Sequence, residues 1–253
     1  MDLPAAIALM DRVDALLSDV DGELGVQEIP VPDAYVLWLF SRVRSTFLAA
    51  RLLVSRRLID EAMHLARSLV TDGLRLMKLE SVGEDRPAYL LGWVNESITE
   101  KENLIREAVR VGIQRDPTAV LDGIRAQRQS LNRYVTRHGV GSLRRFASEK
   151  QLAKEFGLEH EYWDFEYVNN IVHGSPLTAS RRLQTRDDGV VLVSTLHGDE
   201  TMVGPAALMS SQWALLALRS FRSMFSPPLA PNVQIDDLLV EIDAAAEQPA
   251  EQA

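Results

Sequence analysis

The stretch "LIDEAMHLARSLVTDGLRLMK" (58–78) decides the fold. Asp60, His64, Arg67, Thr71, Arg75 and Lys78 recur at spacings of four, three, four, four and three, which puts them on one narrow strip of an α-helix. Leu, Ile, Val, Met and Ala fill most of the remaining positions. A surface helix carries a wider polar face than this. The pattern therefore predicts a helix over 57–80 that is buried on most sides, with a polar strip that either lines a cleft or faces solvent.

Working outward, "IPVPD" connects to a helix expected over 34–55, with Asp33 in the N-cap position. Apolar residues at helical spacing predict further helices over 2–20, 86–114, 117–137, 148–156 and 159–173. "GVVLVSTL", a turn at "HGDE" and "TMV" then predict a small β-hairpin near 189–203. "GPAALMSSQWALLALRSFRSMF" returns to helix, with Pro205 tolerated in its first turn. The expected fold class is all-α: a single helical-bundle domain over 1–229 with one hairpin insertion. Residues 230–253 are expected to form a partly disordered tail, since "AAAEQPAEQA" lacks bulky apolar residues.

Composition narrows the function classes. With 253 residues, 46% hydrophobic and 25% charged, the chain is an ordinary globular one with enough apolar material for a core. It has no cysteine, which excludes disulfides and thiolate metal sites. The most apolar region contains Arg42, Arg44 and Arg51, so no membrane association is expected and a cytoplasmic location follows. A net charge of −9 argues against broad attraction to nucleic acid or anionic lipid. The basic residues are nonetheless mostly arginine, with lysines only at 78, 101, 150 and 154, and arginine suits bidentate contacts to phosphate.

A second polar strip lies in "EYWDFEYVNNIVHGSP" (161–176). At helical spacing Tyr162, Glu166, Asn169, Asn170 and His173 fall within an arc of about 100°. Gly174 and Pro176 end the pattern, which leaves His173 in the last turn. There the helix dipole favours the imidazolium and brings its titration near neutrality, as a general acid or base requires. A histidine that only caps the last carbonyls has the same sequence signature.

Two segments, "SRVRSTFLAARLLVSRRLIDEAMHLARSLVTDGLRLM" (41–77) and "YVNNIVHGS" (167–175), resemble an uncharacterised bacterial family related to the HEPN superfamily of α-helical, RNA-directed toxins and defence nucleases. The resemblance implies metal-independent ribonuclease chemistry without a cofactor. A histidine (His173) would move the proton during 2′-hydroxyl attack, and a polar residue (Asn169) would orient it. The arginine of the HEPN motif is not matched, since Val168 stands in its place. Arg67 or Arg75 from the other strip would have to supply that charge. The resemblance further implies a homodimer, and a protein partner or antitoxin. The competing class is a non-catalytic scaffold that binds RNA, a nucleotide or a protein with the same bundle.

Other constellations carry less. Asn170, Glu166, Arg75, Arg181 and Arg182 are the candidate substrate-binding residues, the last two because "ASRRLQTR" closely follows the motif. Glu61 and His64 form a Glu-x-x-His pair, but no other histidine repeats it, so a di-iron bundle site is not expected. His197 falls at the expected hairpin turn. Ser210 and Ser211 lack the elbow and partnered histidine of a serine hydrolase.

Overall fold

The computed structural model describes residues 1–24, 30–113, 116–163, 183–185, 191–193, 200–225, 229 and 232–247. Its helices are α1 (Leu3–Leu24), α2 (Val31–Ser55), α3 (Ile59–Ser81), α4 (Arg86–Arg110), α5 (Thr118–Arg137), α6 (Glu149–Glu155), α7 (Val203–Met224) and α8 (Val233–Glu247). Residues 159–163 are also helical. The all-α class read from the sequence is the class observed.

The chain divides into two compact units where the sequence reads as one bundle. The first comprises Met1–Ile29, Val36–Glu80 and Ser148–Ala253; the second comprises Pro30–Tyr35 and Ser81–Ala147.

In the first unit α7 is the central element. Trp213, Ala214, Leu215, Ala217, Leu218 and Phe221 are all fully buried, and a helix buried on most of its sides belongs inside. α1 and α8 both pack on it. From α2, the Phe40 ring stacks on Phe221 with centroids 4.1 Å apart. From α3, Gly73 meets Trp213 so closely that an added Cβ would stand 3.1 Å from Trp213 Cε3. α8 falls in the segment expected to be a partly disordered tail. It buries Ile235, Leu238, Leu239 and Ile242, an i, i+3, i+4, i+7 set that composition alone does not reveal.

The second unit is built on an α4–α5 hairpin. Leu91, Ile98, Ile124 and Leu131 form its core, and Val94, Ile105, Leu121 and Val135 pack against them.

Three expectations from the sequence are corrected. Asp33 is not the N-cap of α2: the helix starts at Val31 and Asp33 sits in its first turn, where a carboxylate still complements the dipole and lies 3.5 Å from Arg86. α4 stops at Arg110 rather than 114. Gly112 takes the left-handed conformation (φ 78°), with Ile113 N–H donating to Ala108 O at 2.9 Å and Gly112 N–H to Val109 O at 3.1 Å, a Schellman ending. The hairpin expected over 189–203 does not form, because Glu200–Met202 is a 3₁₀ turn and Val203 opens α7. Val203, Ala206, Ala207 and Ser210 are buried at helical spacing, and that periodicity claims the segment read as a second strand. The strand Val191–Val193 (β2) instead pairs antiparallel with Leu183–Thr185 (β1), Gln184 opposite Leu192.

Candidate functional site

α2 and α3 are joined only by Arg56, Arg57 and Leu58. Arg57 adopts φ 58°, and the turn closes with Leu58 N–H donating to Leu53 O and Arg57 N–H to Val54 O, each at 2.9 Å. This is again a Schellman ending, here with an arginine in a conformation usually taken by glycine. So short a connection makes the two helices antiparallel neighbours. An ion pair between Arg42 on α2 and Asp72 on α3, at 3.1 Å, is consistent with that arrangement.

The polar strip of α3 is neither buried nor fully solvated. Asp60, Arg67, Thr71, Arg75 and Lys78 are half-buried, and His64 is exposed. Thr71 donates its hydroxyl to Arg67 O at 3.3 Å. Arg75 lies 3.6 Å from Asp72, and Lys78 lies 2.6 Å from Glu155 at the end of α6.

Asp72 is the residue that sequence reading missed. It is 1% exposed, with Arg42 and Arg75 as its ionic partners. Burial pushes its carboxyl above the ordinary carboxylate range, and the two arginines pull it part of the way back. A lone acid in an apolar arc is the available signal, but the partner on α2 stands thirty positions away. The Arg42 guanidinium also lies over the Trp38 ring, 5.1 Å from its centroid. Asp72 is thus a buried carboxylate facing two guanidiniums as ion-pair partners, with neither of its oxygens accepting a hydrogen bond among the described residues.

This arrangement has a testable cost. An acid with a raised folded pKa contributes stability at low pH, and loses that contribution as pH rises from its unfolded pKa through the folded one. Asp72→Asn keeps the shape and removes the charge. It is expected to be at least as stable as wild type at pH 7, and to flatten the decline of the thermal midpoint between pH 4 and pH 7. A lower midpoint at pH 7 would mean that the arginine pairs outweigh burial.

α6 is fixed at its start by a capping box: Ser148 N–H donates to Gln151 Oε1 at 3.2 Å and Gln151 N–H donates to Ser148 Oγ at 3.4 Å. With Glu155 held on Lys78, the chain entering residue 159 leaves from the C-terminal end of the α3 strip. Of the sequence-expected site residues, Arg67 and Arg75 are thus placed on one half-buried face. Glu166, Asn169, Asn170, His173, Arg181 and Arg182 lie outside the described residues, as does His197. Ser210 and Ser211 are fully buried on α7, and their hydroxyls find no hydrogen-bond partner among the described residues. Among the described residues no group of three or more His, Asp or Glu is placed to hold a metal ion, and no helix is long and apolar enough to cross a membrane.

Fold and strip together define a predominantly helical protein whose α3 carries an arginine-bearing polar strip and is ion-paired to α2 through Arg42–Asp72 and to α6 through Lys78–Glu155. Residues 33–190, more than half of the chain, match the model of a family of unknown function, DUF5677. The chain belongs to that family, and the matched region contains both the α3 strip and the 161–176 stretch. No curated protein and no solved structure matches the chain.

Proposed function

We propose that this protein is a HEPN-like, RNA-directed protein of the toxin or defence type, whose site combines the α3 strip with the helix expected over 159–173. In this reading His173 takes the proton of an RNA 2′-hydroxyl as that oxygen attacks the adjacent phosphorus. The 5′-oxygen leaves and is protonated, giving a 2′,3′-cyclic phosphate and a 5′-hydroxyl end. Asn169 orients the histidine and Arg67 supplies the cation that Val168 does not. Asn170, Glu166, Arg75, Arg181 and Arg182 contact the substrate. A homodimer and a protein partner belong to the same reading.

The observation that supports it is the Lys78–Glu155 ion pair, which ties the end of α6, six residues before the second polar stretch begins, to the end of the first. A helix over 159–173 would rise about 21 Å, the same rise as α3 from His64 to Lys78.

The non-catalytic scaffold has its own supporting observation. Arg42 and Arg75 share Asp72, and Lys78 faces Glu155, so three cations near the strip are already opposed by carboxylates. Purified full chain incubated with total RNA and excess chelator separates the two readings. The nuclease reading expects fragments ending in cyclic phosphate, formed equally well with and without chelator. Intact RNA under every condition leaves the scaffold reading.

A further inference from the structure

We infer that the solvent face of α5 is an RNA-binding surface, distinct from the α3 strip. The chain as a whole is strongly acidic, yet residues 118–147 carry six arginines against a single acid, Asp122. At helical spacing Arg125, Gln129, Arg133, Thr136 and Arg137 fall on one arc of about 120°, and all five are exposed. Ile124 and Leu131, on the opposite side of the helix, are buried in the α4–α5 core, so this face is fixed outward by packing.

The charges differ in availability. Arg125 is 2.7 Å from Asp122, and Arg128, at the edge of the face, is 2.9 Å from Glu102. Arg133 donates to the Ser130 hydroxyl at 3.2 Å. No carboxylate among the described residues pairs with Arg133 or Arg137. Arg125, Arg133 and Arg137 are spaced along the helix by about 12 and 6 Å, a row of guanidiniums suited to successive phosphates. The neighbouring Gln129, Asn132 and Thr136 add neutral donors and acceptors for sugar and base edges.

Nucleic acid fits this face better than a membrane does. A helix that lies in a bilayer interface presents apolar side chains to the lipid, whereas the apolar residues of α5 are spent on the hairpin core. That the polyanion is RNA rather than DNA rests on the function proposed above; binding by α5 does not.

The test uses the full chain carrying His173→Ala, so that bound RNA is not cleaved, and reads the anisotropy of a labelled 20-nucleotide RNA across a salt series. Arg133→Gln/Arg137→Gln is expected to weaken binding at least tenfold at low salt and to reduce the slope of log affinity against log salt by about 1.5, as for two lost phosphate contacts. Arg133→Lys/Arg137→Lys retains the charge and is expected to keep most of the affinity. Unchanged affinity and slope in the glutamine variant overturn the inference, as does binding to anionic vesicles without binding to RNA. Tighter binding to a DNA of the same sequence overturns the choice of RNA. Loss of cleavage by His173→Ala with binding intact concerns the nuclease reading alone, so the two proposals fail separately.

Discussion

If the proposed nuclease reading holds, His173→Ala and Arg67→Ala are each expected to remove RNA cleavage almost completely, by about 10²–10⁴-fold for the histidine and about 10²–10³-fold for the arginine. The two losses have different origins. Without the imidazole the 2′-hydroxyl proton has no acceptor as attack begins, and the leaving oxygen has no donor. Without the guanidinium the charge that builds on the phosphate is left to water. The pH dependence distinguishes them: Arg67→Ala keeps the limb that reports the histidine titration, and His173→Ala abolishes it.

Stability separates both variants from a general loss of fold. In the helix expected over 159–173 the imidazole falls in the last turn, where it contributes little packing, so the unfolding free energy of His173→Ala should fall by no more than about 1 kcal/mol, the scale of a lost cap. Arg67 is half-buried on α3, and the aliphatic stem of a half-buried arginine contributes packing as well as charge, so Arg67→Ala should cost somewhat more. Arg67→Lys restores charge and most of the stem but not the planar fork; partial recovery of cleavage is expected. If the protein is a scaffold, both alanine variants show these small stability losses and no cleavage exists to lose. Fragment analysis on a sequencing gel, with thermal unfolding in parallel, reads both quantities.

How much of this was legible in the sequence depends on whether the relevant partners are local. The α3 strip is periodic within one helix, so its six polar positions can be read directly, and the long apolar run of α7 can be read as a helix. Asp72 is different. It reads as an interruption of an apolar arc, and only the antiparallel return of α2 brings Arg42 to it. The β-rich run at 189–195 was recognisable from its valines, but three-residue strands leave the partner open. The pairing went to the preceding Leu183–Thr185 because the following residues satisfy a helix period that buries Val203 and Ala206. Whole-chain charge concealed α5: a total of −9 hides a 30-residue segment with six arginines and one acid. The division into two units was not legible, since helix positions do not say which helices share a core.

Gly92 carries the second large effect, and no sequence pattern identifies it. It lies within α4, where glycine is unfavourable by about 1 kcal/mol relative to alanine, so propensity alone recommends Gly92→Ala. The structure reverses that sign. Arg144 N–H donates to Ala88 O at 3.1 Å, laying the backbone of the segment after α5 directly across α4. Phe146 then packs between Tyr89 and Trp93, with ring centroids 5.6 and 6.3 Å away. A Cβ at position 92 would stand 1.9 Å from the Arg144 carbonyl oxygen and 2.9 Å from its carbonyl carbon. Backbone atoms cannot rotate aside as a long side chain can, so the segment must lift away. That sacrifices the Arg144–Ala88 hydrogen bond and the aromatic contacts, and Gly92→Ala should destabilise the second unit by about 2–3 kcal/mol. Gly123 on α5 supplies the internal comparison. It is exposed, and a Cβ there meets nothing within 4 Å, so Gly123→Ala should stabilise by about 0.4–1 kcal/mol. Hydrogen exchange of the α4 and α5 amides reads both variants, with the amides of α7 as the reference that should not move. Equal protection in Gly92→Ala and wild type would mean that the segment after α5 does not rest on α4 at this position.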